Sequence, residues 1–148
     1  PTSVPPPNKQ PRQLKAGTPN TTIQGDRTQE GSRGRVAWDD EGVGPDKWLI
    51  IEKGIFRDYQ TTREQAAWIS KLTGVKKSHG CSFADSWDSV QFQRMPNVSL
   101  LPGDKDIGLN DIIAATDRGI VIKNRGSWSI DHQRYNFQFS GQVFYEVK

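Results

Sequence analysis

Apolar residues in this chain fall into short pairs and alternations, and they are sparse before position 35. The run KWLIIEKGIFRDYQ, Lys47–Gln60, carries two short β-rich stretches on either side of Glu52-Lys53-Gly54, the pattern of a hairpin. Thr61-Thr62-Arg63-Glu64-Gln65 then places a threonine before Glu64 or Gln65 at the spacing of a capping box, so a helix is expected from there to about Leu72. Its apolar positions Ala66, Trp68, Ile69 and Leu72 are in part three or four apart, and Gly74 is the expected C-terminal stop.

Further along, Ser78–Ser99 alternates loosely through Phe83, Trp87, Val90 and Phe92, which reads as strand or irregular structure up to Arg94-Met95-Pro96. Leu101-Pro102-Gly103-Asp104 is a turn. A second helix is expected over Leu109–Asp117, with Gly119 as a left-handed cap and Ile120-Val121-Ile122 as a buried strand after it. The closing RYNFQFSGQVFYEVK shows two alternating runs around Ser140-Gly141-Gln142 and reads as another hairpin. A strand signal that runs to the last residue is unusual in a complete domain, which leads to the expectation that the chain is a piece of something longer.

Residues 1–34 hold six of the nine prolines and no aromatic residue, with Val4, Leu14 and Ile23 as the only sizeable aliphatics. Such a segment buries too little area to offset its ordering entropy, so it is expected to be a Pro-rich linker or extended arm, with a short strand around Thr21–Asp26 as the one element it could hold. Residues 35–148 then form the β-rich domain. The expected fold class is α+β: mostly antiparallel sheet with hairpins, two short helices and an extended N-terminal arm.

Composition narrows the function classes. The 148 residues are 33% hydrophobic, and the mean hydropathy of −0.74 is polar for a globular protein. Five Trp and six Phe supply large packing units. A net charge of +3 is far from the concentrated basic density of a nucleic-acid binder, and no nucleic-acid partner is expected. The single cysteine excludes an internal disulfide framework and fits a cytoplasmic setting. No apolar run approaches the roughly 18 residues of a membrane span, so no membrane partner is expected.

Four clusters have residue types that carry chemistry. Asp39, Asp40 and Glu41 stand in a row and could ligate a hard cation, but a calcium loop wants oxygen ligands at alternate positions over about 12 residues. The glycines at 42 and 44 favour a charged turn. His79 and Cys81 would share one face of an extended strand, which is half of a zinc site at most. Ser127, Ser129, Asp131 and His132 hold the residue types of a hydrolase triad without a nucleophile-elbow context. Lys76 and Lys77 beside His79 read as a solvated basic loop. By spacing alone no active site emerges.

Taken in order, GDRT (Gly25–Thr28), WDDEGV (Trp38–Val43), IEKGIFRDYQTTREQAAW (Ile51–Trp68), RMPNVSLLPGD (Arg94–Asp104), the helix leading to DRGIVI, and NRGSWSIDHQRYNFQF (Asn124–Phe139) resemble the TldD/PmbA family. Its members are also described as modulators of DNA gyrase or peptide-maturation metalloproteases. The resemblance covers roughly residues 20–148 and is closer to the TldD side. It implies a cytoplasmic, dimer-forming zinc metallopeptidase, homomeric or paired with a family member, that cleaves leader peptides or unfolded segments.

In TldD-like members an HExxxH helix before the DDEG segment and a cysteine near the far C-terminus hold the metal. Neither is present here, so this chain is expected to hold no metal or other cofactor and to be inactive alone. It would work with the missing N-terminal region of its own protein, which would bring the zinc. The resemblance further implies that peptide binds extended along a sheet edge. Asp39, Asp40, Glu41, Arg94, Asn97 and Ser99 are the candidate groove residues. Pro96 and an apparently inserted Gly126 depart from the family pattern. The alternative reading is a non-catalytic PmbA-like partner or a freestanding peptide- or protein-binding module.

Overall fold

The computed structural model describes residues 13–131 and 135–148. They divide into two compact units, one ending at Pro102 and one running Gly103–Lys148. The first contains strands β1 (Ile23–Asp26), β2 (Lys47–Glu52) and β3 (Ile55–Phe56), helix α1 (Arg63–Thr73), and strands β4 (Ser82–Phe83), β5 (Phe92–Gln93) and β6 (Asn97–Leu100). The second contains helix α2 (Leu109–Ala114) and strands β7 (Gly119–Ile130) and β8 (Phe137–Val147). The expected fold class holds: antiparallel sheets with two short helices.

The main sheet has the order β3-β2-β1-β6, with every pair antiparallel. The β2–β3 hairpin closes through Lys53 at φ 48° and Gly54 at φ 80°. Two successive positive φ values give the turn a twist that matches its strands. Gly54 is required on a second count, because a Cβ there would lie 2.5 Å from the carbonyl oxygens of Gly17 and Thr18. Those carbonyls belong to a stretch that runs beside the hairpin: Phe56 N–H donates to Leu14 O at 2.9 Å, and Ala16 N–H to Gly54 O at 2.7 Å. The first twelve residues of the expected arm lie outside the described residues, whereas β1, within that arm's expected range, is a central strand.

Polar β1 is held by its neighbours on both sides. A Cβ at Gly25 would sit 2.7 Å from the Trp48 ring, so the glycine lets this buried indole lie flat over the strand. Asp26 ends the strand by accepting from both the N–H and the hydroxyl of Thr28, each at 2.7 Å.

Helix α1 forms as its sequence signals predict. The Thr62 hydroxyl accepts from Gln65 N–H while the Gln65 side chain accepts from Thr62 N–H, and Gly74 at φ 75° caps the other end. Its expected apolar stripe is buried only at Ala66, while Trp68 is 70% exposed.

The second unit corrects four expectations. Helix α2 ends at Ala114, three residues early. The chain tightens there through Thr116 N–H to Ile113 O at 3.1 Å, with the Thr116 hydroxyl on Ile112 O at 2.7 Å. Gly119 opens β7 and is not a cap. Ile120 and Ile122 are in a strand but are 68% and 61% exposed, so the strand is not buried among the described residues.

The Ser140-Gly141-Gln142 hairpin does not form. β8 runs unbroken through those residues and pairs along its length with β7. The turn-like signal at Gly141 reflects a close approach instead, since a side chain there would collide with Ile122.

Pairing runs from Gly119↔Val147 to Arg125↔Gly141, then resumes at Trp128↔Phe139 with one extra residue on β7. This is a β-bulge at Gly126-Ser127. By parity Trp128 and Ile130 would share a face with Ile120 and Ile122. The extra residue turns them over to join Phe137, Phe139 and Tyr145.

Candidate functional site

The acidic turn is held by hydrogen bonds from several backbone donors. One oxygen of Asp39 accepts from Glu41 N–H at 3.0 Å and Val43 N–H at 2.9 Å, and the other from Ser82 N–H at 3.0 Å. Its backbone closes the turn as well, with Gly42 N–H donating to Asp39 O at 2.9 Å and Gly42 in the left-handed region at φ 72°. Asp40 accepts from Ala84 N–H at 2.6 Å, which carries the turn across to β4. Glu41 accepts from Arg63 N–H at 2.8 Å, an otherwise unpaired donor at the positive end of α1. Three adjacent acids stay compatible because each faces its own backbone donors.

Arg94 is exposed. Its N–H donates to Cys81 O at 2.8 Å, and its guanidinium lies 5.6 Å from the Phe83 ring centre and 5.9 Å from that of Phe92. These two rings meet edge to face across the β4–β5 pair. Asn97 is spent on anchoring: its amide donates to Asp26 O at 3.0 Å and to the Ser32 hydroxyl at 2.6 Å, and its oxygen accepts from Gly34 N–H at 3.2 Å. Ser99 pairs with Gln24 across β1–β6. Strand β6 is an edge of the four-stranded sheet, with Val98 and Leu100 exposed along it. Buried Pro96 stands just before this edge, where a missing N–H costs no ladder bond. The six predicted groove residues therefore fall into two sets, the acidic turn docked on β4 and the Arg94–Ser99 stretch that leads into β6.

A cluster that sequence reasoning did not assemble lies beside them. His79 Nδ1 is 2.8 Å from an Asp46 oxygen and Nε2 is 3.0 Å from an Asp58 oxygen. The imidazole stacks on Trp48 with ring centres 4.2 Å apart and planes within 5°. A cavity of about 430 Å³ adjoins it, lined among others by Trp48, Asp58, Thr73, Val75 and His79. Burial pulls the imidazole pKa down, but hydrogen bonds and charge from Asp58 and Asp46 outweigh this and leave it raised. Asp46 is lowered: burial opposes the charge, and the His79 hydrogen bond, the Lys47 N–H and nearby positive charge prevail.

This set answers the question of the H-x-C pair. Both nitrogens of His79 are taken by carboxylates, and burial pushes the Cys81 thiol up to about 12, far from the thiolate a metal or a nucleophile needs. No group of three or more His, Cys, Asp or Glu among the described residues is arranged to hold a metal ion. His79 and Cys81 therefore do not fit a zinc ion.

Of the triad residue types, His132 lies outside the described residues. Asp131 accepts from the N–H groups of Tyr135 and Asn136 at 3.0 and 3.1 Å. Among the described residues no helix is long and apolar enough to cross a membrane.

Comparison with known proteins agrees with this architecture. Residues 12–148 match the model of the PmbA/TldA metallopeptidase C-terminal domain. The chain is 31% identical over 135 residues to metalloprotease MJ0996 of Methanocaldococcus jannaschii, covering 90% of this chain and 28% of that protein. It is 34% identical over 127 residues to the metalloprotease TldD homolog of Buchnera aphidicola from Acyrthosiphon pisum, covering 86% of this chain and 25% of that protein. Among solved structures, TldE from Thermococcus kodakarensis superposes with a TM-score of 0.65 at 24% identity, over 90% of this chain and 29% of that one. The chain thus spans about a quarter of the length of these curated relatives.

Proposed function

Because the chain belongs to the family of PmbA/TldA metallopeptidase C-terminal domains, we propose that it is the scaffold and part of the substrate groove of a TldD-type zinc metallopeptidase acting on leader peptides or unfolded segments. The single observation that carries this reading is the family match over residues 12–148, and relatives called TldD metalloproteases support it. The zinc and its ligands come from parts of the parent protein outside these residues, a reading supported by the commitment of His79 to two carboxylates and of Cys81 to a buried, protonated thiol. A relative from Saccharolobus solfataricus is called a zinc metalloprotease, which supports zinc as the family's metal.

Extended peptide adds along the exposed edge of β6, where main-chain hydrogen bonds give affinity with little dependence on sequence. Arg94, three residues before β6, lies beside the Phe83–Phe92 pair and offers a cation and an apolar surface to the bound peptide. The protein works in the cytoplasm as a dimer with itself or a family member. Val98→Pro places a proline on the edge strand in the parent protein. Weaker peptide cleavage with zinc content unchanged is the expected outcome. Unchanged cleavage kinetics would remove the β6 edge from the groove, and a parent protein without HExxxH would favour the non-catalytic, PmbA-like reading.

A further inference from the structure

His79 comes from a loop and contacts two carboxylates that flank the β2–β3 hairpin, Asp46 just before β2 and Asp58 just after β3. A neutral imidazole has one N–H, so one of these contacts would set a ring lone pair against a carboxylate lone pair. The doubly protonated ring donates to both. Its side chain is only 6% exposed, and the Trp48 face against it favours a cation.

The loop that carries His79 is tied to the candidate groove on its far side. Cys81 O accepts from Arg94 N–H at 2.8 Å, Ser82 N–H donates to Asp39, and Ser82 pairs with Gln93. At Gly80, φ 71°, a Cβ would meet Gly44 O at 2.8 Å, so the loop presses directly on the backbone that follows the acidic turn.

We propose that His79 is a positioning residue: a cationic clip between Asp46 and Asp58 that holds Ser78–Ser82 against the hairpin and thereby sets β4, β5 and Arg94, so that loss of its proton loosens this side of the groove. The proposal deepens the groove reading above and rests on it. The other charged groups around the ring are Glu52 and Arg57, paired at 2.7 Å and lining the same cavity, and Lys77, whose charge acts on Asp46. With the His79 pKa raised, the clip is closed at and below the ordinary histidine range and opens as pH rises through the raised value.

Hydrogen-exchange mass spectrometry on the full-length parent, from about pH 6 to about pH 9 and corrected for intrinsic rates, tests this. Segments 78–84 and 92–95 are expected to lose protection by about tenfold relative to α1 as pH rises, the scale of one charge-assisted hydrogen bond. Asp58→Asn is expected to move the midpoint to lower pH, and His79→Gln to abolish the profile. If His79→Gln fails to fold, Asp58→Asn alone decides. A flat profile in the parent, or a midpoint that Asp58→Asn leaves in place, overturns the clip. A pH-dependent profile with unchanged peptide affinity keeps the clip and counts against the groove reading instead.

Discussion

The unit that ends at Pro102 and the unit Gly103–Lys148 solve the problem of holding a chain in opposite ways. Among the described residues, the buried apolar side chains Trp48, Phe56, Ala66, Cys81 and Pro96 all lie in the first unit, and ten buried polar side chains outnumber them there. No described residue of Gly103–Lys148 is buried. Yet β7 and β8 carry Ile120, Ile122, Trp128, Ile130, Phe137, Phe139, Phe144 and Tyr145, all more than 45% exposed. One unit is fixed by side chains that answer specific backbone donors, the other by a long ladder with apolar residues on both faces. The first owes its geometry to directional bonds, so single polar substitutions should damage it most. The second owes its geometry to register, so changes that shift or obstruct pairing should matter more.

The largest expected effect is in the first unit. Asp39→Ala strands three backbone donors, at Glu41, Val43 and Ser82, around a residue that is 6% exposed. A loss of about 3 kcal/mol of local stability is expected, the scale of hydrogen bonds to a buried charge. Exchange of the Ser82 and Ala84 amides should accelerate by roughly 100-fold at that scale, while β7 and β8 are unaffected. Equal acceleration in both units would break the contrast.

In the second unit the sensitive position is the bulge. A Cβ on Gly126 would lie 3.0 Å from Ser140 O and 3.1 Å from Gly141 O, both backbone atoms with little room to yield. Gly126→Val should cost about 2 kcal/mol by overpacking and loosen the ladder between Arg125 and Trp128. The cation stack of Arg125 on Trp128, at 4.2 Å, reports on this through indole fluorescence, which should change. An unchanged indole signal and ladder exchange rate would mean that the bulge tolerates a side chain.

These two sites also mark what the sequence could and could not disclose. The Lys53-Gly54 turn, the Thr62–Gln65 box and the Gly74 cap were legible because each is decided within about five residues of itself. The resemblance of the ordered motifs to the TldD/PmbA family was legible for the same reason, as strings read locally. The hairpin expected at Ser140-Gly141 failed because a glycine in close contact across strands looks like a glycine in a turn. Gly126 stood out as an insertion, but its effect on which face carries Trp128 needs the partner strand. The place of β1 at the centre of the sheet follows from Trp48 and Asn97, which are distant in sequence. Asp46 and Asp58 reach His79 across separations of 33 and 21 residues, and no local pattern joins them.

Titration separates two networks within the first unit by sign. His79, raised, contributes stability that is complete below the ordinary histidine range and is lost as pH rises through its folded value. Asp26 behaves oppositely. The Thr28 hydroxyl bond holds its carboxyl below the usual aspartate value, burial opposes this, and the Thr28 N–H and the Lys47 charge add to it. Its contribution is present above the ordinary aspartate range and is lost as pH falls through the lowered value. Thr28→Val should therefore weaken the acid limb of a pH–stability curve and leave the alkaline limb alone. A change on the alkaline limb would show that the two networks are coupled.

The smallest effects sharpen the comparison at the helix starts. In α1 the Thr62 hydroxyl caps Gln65 N–H and the Gln65 amide returns the bond. In α2 the N-cap is Gly108, which has no side chain to offer, and only the reverse contact exists, from Gly108 N–H to Asp111 at 3.1 Å. Thr62→Ala should cost about 1 kcal/mol and fray α1, read as faster exchange at Glu64 and Gln65. Gly108→Ser should gain only about a few tenths of a kcal/mol, because glycine is already a tolerable cap and α2 has six residues over which to spread the benefit. Opposite signs from the same kind of position would show that the first unit already uses its directional bonds and that the second has left one unmade. A Gly108→Ser gain as large as the Thr62→Ala loss would mean that the weakness of α2 lies in its cap rather than its length.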